Sequence, residues 1–453
     1  MNKSTIAAIS TPLGEGSVGV IRISGEDAFV IADKAFKSFS GKKIADIAGY
    51  TALYGEITDG TDKIDNAVAL KFVAPKSYTG ENVVELSVHG GRYVVKRVLR
   101  TVLSFGAKAA APGEFTKRAF LNGKLDLAQA EAVMGVISAQ SDSELKITLS
   151  ALSGKVSNVI NEIKASLLSV AASVAFFNDN PDEEIPELST DNFGASLLSV
   201  SDALSRLIAD YDSGRVLREG VDTVILGKPN VGKSTLMNLL SKRERSIVTD
   251  VAGTTRDIIE DTVLVGDITL RLSDTAGIHK TEDEVENVGI RLAREKSSSA
   301  QLVLAVFDIS RPLDNDDIEL IESVRDKNTI AVLNKSDSAI DFDIDNFKGM
   351  PTVIVSAKSG TGEKELAQKI AEVTGAARIS ADSAVLGSER QRDCALRAKS
   401  AVGQALEALN SGITVDAVGV LIDEALAELY TLTGERVTNA VADEVFERFC
   451  VGK

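Results

Sequence analysis

The sequence predicts a multidomain chain of mixed α/β and α character. An N-terminal α+β domain is followed by a helical-bundle domain, and a doubly wound α/β domain with a mostly parallel sheet is inserted into the latter. Three observations carry this expectation. At 453 residues the chain is long enough for two or three domains, each with its own core. Between Val221 and about Ala377, strand-like runs alternate with helical segments, the pattern of a parallel sheet with helices on both faces. Helical texture stands on both sides of that stretch, which is what an insertion into a helical domain leaves behind.

In chain order, Thr5–Ser10 and Val18–Ser24 read as short β-rich runs with Gly14, Gly16 and Gly19 marking their separation, and Ala67–Val73 and Val83–Val88 read as further strands. A helical stretch runs from about Gly91 to Leu103. From Leu125 apolar residues recur at helical spacing (Leu125, Ala128, Ala132, Val136, Ala139), and this continues to about Phe177. Asn178 to Glu187 carries two prolines and five acidic residues and reads as a solvated loop. Helix resumes from about Asp191 to Val216. The buried strands of the α/β stretch are Thr223–Leu226, Leu302–Phe307, Ile330–Leu333 and Val353–Val355, and the chain is helical again after Ser383. The expected domains are residues 1–120, 121–217, 218–378 and 379–453, the second and fourth being two parts of one helical domain.

Composition bounds the function. With 44% hydrophobic and 26% charged residues, disorder is not the default reading. A formal net charge of −16 argues against coating nucleic acid by bulk electrostatics, so a nucleic-acid substrate would have to be held by a local basic patch or by a partner. The two cysteines, Cys394 and Cys450, are too few for a disulfide framework and are not spaced as a metal site, which suits a reducing compartment. Ile6-Ala7-Ala8-Ile9 is too short for the apolar core of a signal peptide. No stretch is expected to approach the roughly 18 apolar residues of a membrane span. The expectation is a cytoplasmic protein without membrane contact.

Gly227-Lys228-Pro229-Asn230-Val231-Gly232-Lys233-Ser234-Thr235 follows an apolar strand and opens a helix, the context of a phosphate-binding loop. Its glycines let backbone N–H groups close on phosphates, Lys233 reaches toward the β- and γ-phosphates, and Ser234 is a Mg²⁺ ligand candidate. Asp274-Thr275-Ala276-Gly277 closes a strand, where the Asp can hold the Mg²⁺ shell and the Gly N–H can sense the γ-phosphate. Asn334-Lys335-Ser336-Asp337 ends another strand. The Asp337 carboxylate can accept from N1–H and the 2-amino group of guanine, a pair of donors adenine lacks. Taken alone, Asp337 reads as a helix cap or a turn residue rather than a base-recognising carboxylate; following Asn334-Lys335 at a strand end, it does not stand alone. Ser356-Ala357-Lys358 follows the last strand and offers a backbone contact to the guanine oxygen. In this order the motifs indicate a Ras-like G domain that binds GTP rather than ATP.

Asp250-Val251-Ala252-Gly253-Thr254-Thr255-Arg256-Asp257 reads as a switch loop, with Thr255 the second Mg²⁺ hydroxyl. The residue after Asp274-Thr275-Ala276-Gly277 is Ile278, where Ras-like GTPases place a water-orienting Gln. Ile278 cannot hydrogen-bond water, so hydrolysis needs assistance from elsewhere.

Two further stretches carry a resemblance over essentially the whole chain. Pro112-Gly113-Glu114-Phe115-Thr116-Lys117-Arg118-Ala119-Phe120-Leu121-Asn122-Gly123-Lys124-Leu125-Asp126-Leu127-Ala128-Gln129-Ala130-Glu131-Ala132 and Cys450-Val451-Gly452-Lys453, with Thr11-Pro12-Leu13-Gly14-Glu15-Gly16, resemble the MnmE (TrmE) family of tRNA modification GTPases, in the TrmE-Era-EngA-YihA-Septin-like superfamily. The resemblance implies an N-terminal tetrahydrofolate-binding and dimerisation domain, a helical domain and an inserted G domain. It implies work with the flavoprotein MnmG in a heterotetramer, adding an aminomethyl or carboxymethylaminomethyl group to C5 of the wobble uridine of certain tRNAs. The one-carbon unit would come from a 5-formyl or methylene tetrahydrofolate.

Residue by residue, the resemblance makes Arg22, Glu85, Lys124 and Lys453 folate contacts, although Arg22 and Glu85 by themselves also read as exposed strand charges. It makes Asn230, Thr249, Val251 and Thr254 the ligands of a K⁺ beside the phosphates, with GTP lying against Thr249 to Thr255. It also implies dimerisation of G domains across that ion. Glu286 matches a glutamate that orients the attacking water through a second water. Cys450 matches a cysteine with a chemical part near the folate; alone, it reads as a buried cysteine capping a core. A regulatory GTPase that times assembly of another ribonucleoprotein stays open as the alternative.

Overall fold

The computed structural model describes residues 4–179, 190–241, 261–272, 300–339, 341, 343–380, 383–411 and 413–452. Most of the expected loop at Asn178 to Glu187 lies outside the described residues. The chain divides into two compact units, residues 1–134 with 422–453 and residues 135–421.

The first unit is built on a seven-stranded sheet from β1 (Ile6–Ile9), β2 (Val18–Ser24), β3 (Phe36–Ser38), β4 (Ala52–Thr58), β5 (Lys63–Phe72), β6 (Val83–His89) and β7 (Lys108–Ala109), in the order β3-β4-β5-β6-β2-β1-β7. Only the β1–β7 pair is parallel. Strand alternation sorts its side chains. Ile21 and Ile23 of β2 and Val84, Leu86 and Val88 of β6 pack into one core with Ile31 of α1 (Ala28–Ala35) and Val95, Val98 and Val102 of α2 (Arg92–Ser104). The period of two therefore turns Arg22 and Glu85, directly paired across β2 and β6, to the other face.

On that other face Phe115 of α3 (Glu114–Leu121) packs with Ile6 and Ala8. The chain returns to this unit through α12 (Val415–Thr433) and α13 (Asn439–Glu447), whose Phe446 ring lies 6.1 Å from Phe120 and 5.2 Å from Phe449. Gly452 then settles on β1 with a left-handed φ of +98°, and a Cβ there would collide with the Ile9 carbonyl.

In the second unit a six-stranded sheet runs β13-β12-β11-β8-β10-β9, formed by β8 (Val221–Leu226), β9 (Asp261–Val265), β10 (Ile268–Leu272), β11 (Leu302–Asp308), β12 (Thr329–Asn334) and β13 (Thr352–Ile354). All neighbours are parallel except β9, which pairs antiparallel with β10. The buried run of β11 shows why it reads as continuously apolar. Leu302, Leu304 and Val306 join one core with Leu236 and Leu240 of α8 (Lys233–Ser241) and Leu366 and Ile370 of α10 (Glu363–Val373). Val303, Ala305 and Phe307 join a second core with Ile321 and Val324 of α9 (Asn315–Val324).

The other long helices of the second unit are α5 (Asp142–Leu152), α6 (Lys155–Asp179), α7 (Thr190–Glu219) and α11 (Glu389–Asn410), while α4 (Leu127–Ser138) runs from the first unit's residues into the second's. Within α6, Lys155–Phe176 is long and apolar enough to cross a membrane by length and composition, with a mean hydropathy of 1.4. This corrects the expectation that no stretch comes close. Its residues Val156, Ile160, Ile163, Leu167, Val170 and Val174 are buried at three- and four-residue spacing, as in a helix packed in a bundle, and α6 lies against α5 and α7. On α11, Cys394 is buried among Ala395, Ala398, Ala401 and Ala405, small residues that let the helix approach α7.

The strand order is entered at Gly220, whose φ of +75° and Cβ position 2.5 Å from the Thr269 carbonyl admit only glycine. Beside it the Arg218 guanidinium donates to the Leu386 carbonyl at 3.0 Å, so the segment leading into the sheet is tied to the one returning from it.

Candidate functional sites

The phosphate loop bridges β8 and α8. Gly227 has φ +151° with its Cβ position 2.5 Å from the Val306 carbonyl, and Gly232 has φ +99° with its Cβ position colliding with Asn334 Nδ2. Neither position tolerates a side chain, which is how the loop keeps its backbone N–H groups close to a bound anion. Lys233, the first residue of α8, donates from Nζ to the Gly227 carbonyl at 2.6 Å and the Lys228 carbonyl at 2.7 Å, and burial pushes its pKa down. Asn230 is exposed with a left-handed φ of +63°, and Ser234 is exposed at the start of α8. Neither side chain makes a hydrogen bond within the described residues.

Asn334 joins this loop to the base end. Buried at the end of β12, it donates from Nδ2 to the Val231 carbonyl at 2.8 Å and accepts the Ala357 N–H at Oδ1 at 2.9 Å. Asp337 is exposed, and its Oδ1 accepts from Ser356 Oγ at 2.6 Å. That bond holds its carboxyl below the usual range. Lys335, at φ +71°, pairs with Asp308 at 2.6 Å. Burial pushes the Asp308 carboxyl up, but Lys335 and the Ser310 hydroxyl and N–H outweigh it and hold it low. Asp308 and Ser310 were not legible as site residues, because nothing local marks a strand end that answers a lysine just past the next strand.

The second constellation lies on the open face of the first unit. Arg22 Nε donates to Glu85 Oε1 at 2.8 Å, and Arg22 Nη1 approaches the Gly452 carbonyl at 3.5 Å. Ser10 Oγ donates to that same carbonyl at 3.2 Å, and the Gly113 N–H donates to the Cys450 carbonyl at 3.4 Å. Cys450 is exposed, which removes the reading of a buried core cysteine. The Arg22 guanidinium sits 5.4 Å from the Tyr78 ring centroid and 5.6 Å from that of Phe115. Glu85 Oε2 has no partner among the described residues. A carboxylate oxygen, an arginine and two rings around them suit a flat heterocycle with an amide and amino edge.

Lys124 is exposed, with Nζ on the Pro75 carbonyl at 3.3 Å, on the loop that also carries Tyr78. The loop itself is set by Arg118, only 8% exposed, which donates to Glu81 at 3.1 Å and to Glu114 at 2.8 Å, while Ser24 donates to Glu81 at 2.7 Å. The sequence does not mark Tyr78, Glu81 or Arg118 as site residues; Arg118 stands in the quoted Phe115-Thr116-Lys117-Arg118 run without a role. Thr249, Asp250, Val251, Ala252, Gly253, Thr254, Thr255, Asp274, Thr275, Ala276, Gly277, Glu286 and Lys453 lie outside the described residues.

Residues 5–124 match the family described as GTP-binding protein TrmE N-terminus, and residues 127–450 match the MnmE helical domain. The chain is 42% identical to a tRNA modification GTPase MnmE of Geobacter sulfurreducens, covering 100% of this chain and 99% of that one. To the protein of the same description from Acetivibrio thermocellus it is 38% identical over 100% and 99% of the two chains. To that of Clostridioides difficile it is 39% identical over 99% of each.

Proposed function

Since the chain belongs to the MnmE family of tRNA modification GTPases, and is thereby a GTP hydrolase, we propose that it couples hydrolysis to modification of the tRNA wobble uridine. In this reading it works with the flavoprotein MnmG in a heterotetramer and adds a carboxymethylaminomethyl or aminomethyl group to C5 of that uridine. A tetrahydrofolate derivative, 5-formyl or methylene, supplies the one-carbon unit when bound. The single observation that carries the reading beyond GTP hydrolysis is the meeting of Arg22 and Glu85 with the Cys450–Gly452 end of the chain. A regulatory GTPase with an N-terminal interaction platform needs no such constellation.

The roles follow from the chemistry of each group. Glu85 would accept from the amide and amino edge of the pterin, Arg22 would fix Glu85 and face the ring, and Lys124 and Lys453 would hold the carboxylates of the tail. Cys450 is exposed and would take its part in the chemistry near the folate. In the G domain, residues 218–378, Lys233 and the loop N–H groups bind the phosphates. Ser234 and Thr255 would hold Mg²⁺, which neutralises charge on the phosphates. Asn230, Thr249, Val251 and Thr254 would hold K⁺ where other GTPases place an arginine finger. Glu286 would orient the water that Ile278 cannot. The remaining assignments are a folate-binding and dimerising domain at residues 1–120 and a helical domain at 121–217 and 379–453, in a cytoplasmic homodimer. Exposed Val18, Tyr54 and Val68 on the open face that carries Arg22 and Glu85 support dimerisation there.

Mass spectrometry of tRNA nucleosides from cells lacking the protein tests the reading. The wobble modification should disappear and return with the wild-type chain; an unchanged nucleoside profile would leave the regulatory alternative.

A further inference from the structure

In a chain of net charge −16, α2 is basic without relief. Its residues Arg92–Ser104 hold Arg92, Lys96, Arg97 and Arg100 and no carboxylate. Arg97 is neutralised by Asp59 at 3.1 Å and Asp62 at 3.7 Å. The other three project from the exposed side of the helix, and none forms an ion pair within the described residues. Arg92 uses only its Nε–H, on the Leu13 carbonyl at 3.3 Å. Tyr93 stands among them 73% exposed.

Folding does not account for this arrangement. Burial of Val95, Val98 and Val102 fixes the opposite side of α2 on the sheet and makes no demand on the outer side. Arg92 and Lys96 occupy the first turns, where the helix dipole is already positive and a carboxylate stabilises by about 0.3–1 kcal/mol. Among the first-turn residues there is none. Three unpaired cations at every fourth residue stand ~6 Å apart along one line, and an exposed aromatic ring interrupts them. The one carboxylate on the neighbouring cavity of about 240 Å³, which Arg92 also lines, is Glu15.

We infer that this face of α2 binds the phosphate backbone of the RNA substrate, with Tyr93 against a sugar or base edge. The inference rests on the tRNA reading above and adds a location to it. Because α2 and the Arg22–Glu85 pair lie on opposite faces of the sheet, the surface grips the body of the RNA rather than the reacting base. It is a local basic patch of the kind through which a chain of this net charge can hold a polyanion.

The test uses the full chain carrying Arg92→Glu, Lys96→Glu and Arg100→Glu together, and a second carrying Ala at the same positions should charge reversal disturb folding. Binding of an unmodified tRNA transcript is followed by fluorescence anisotropy over a salt series, with GTP turnover alongside. The expected result is binding at least about tenfold weaker and a slope of log K against log salt shallower by about 2–3, one phosphate contact per side chain, with GTP turnover unchanged. Wild-type affinity and slope in both variants overturns the assignment and leaves the tRNA reading standing. A wild-type chain that fails to bind tRNA overturns both. Lost binding to anionic-lipid vesicles with tRNA binding intact assigns the face to a membrane surface instead and also overturns it.

Discussion

Arg22 and Glu85 face each other across β2 and β6 and close an ion pair of 2.8 Å on the side of the sheet turned away from its core. The pair is partly exposed, so its own contribution to stability is about 1 kcal/mol. Arg22→Ala should therefore leave the fold and GTP turnover near wild type while abolishing the rise in melting temperature produced by 5-formyltetrahydrofolate, which stabilises only if it binds the native state. Thermal denaturation with and without the folate checks this, and undiminished protection in the variant removes Arg22 from the site.

Asn334→Ala takes away a buried amide that serves the Val231 carbonyl and the Ala357 N–H at once. Leaving both groups without a partner costs about 3 kcal/mol. Because the two groups lie in the phosphate loop and the base loop, GTP affinity should fall as stability does. Denaturant unfolding and nucleotide titration of the same preparation give both numbers; a loss of stability with wild-type affinity would separate the two loops.

Asp337→Asn should move preference from guanine toward xanthine nucleotides, since an amide turned to donate can meet the extra carbonyl of xanthine. Competition between GTP and XTP measures the change. Unaltered preference excludes Asp337 from base recognition.

Asp308 gives a pH dependence. Its carboxyl is held below the ordinary 3.8, so its pairing with Lys335 is fully stabilising above that value and is lost as pH falls through the lower folded one. The stability difference between wild type and Asp308→Asn should be flat from pH 7 down to about 4 and shrink in stronger acid. A difference that instead grows in acid reverses the sign and breaks the argument.

If Asn230 and the Thr249–Thr254 loop hold K⁺ as proposed, hydrolysis should be fast in K⁺ and slow in Na⁺, since the smaller ion cannot satisfy the same oxygens at its own distances. Glu286→Ala should slow turnover and spare GTP affinity, because a water-orienting group acts in the transition state. Stopped-flow turnover in matched KCl and NaCl decides the first point and single-turnover kinetics the second. Equal rates in the two salts sink the K⁺ assignment.

The elements legible in the sequence are those whose pattern is set locally. Val18–Ser24 is rich in β-branched residues and is β2 to the residue, and the apolar runs at Leu302 and Ile330 are β11 and β12 because both faces of that sheet are covered. β4 was not legible. Gly55 interrupts its alternation where Lys37 of β3 passes too close for a side chain, a reason that exists only once the strands pair. The β9–β10 hairpin carries a signal of its own, apolar Val263, Val265, Ile268 and Leu270 around Gly266-Asp267. In the sites, motif spacing located Asn334 and Asp337, while the partners that set their surroundings come from distant chain. Asp308 is 27 residues from Lys335, and Glu81 is 37 from Arg118.

The Arg218 bond to the Leu386 carbonyl spans 168 residues of sequence. Were that stretch unstructured when α7 met α11, bringing its ends together would carry the loop-closure entropy of a long flexible chain. A sheet already folded presents its first strand and its return segment side by side and shortens the effective loop to a few residues. If the α/β part completes first and the helices on either side of it in the chain associate afterwards, substitutions in the α7–α11 contact should alter unfolding rates more than folding rates.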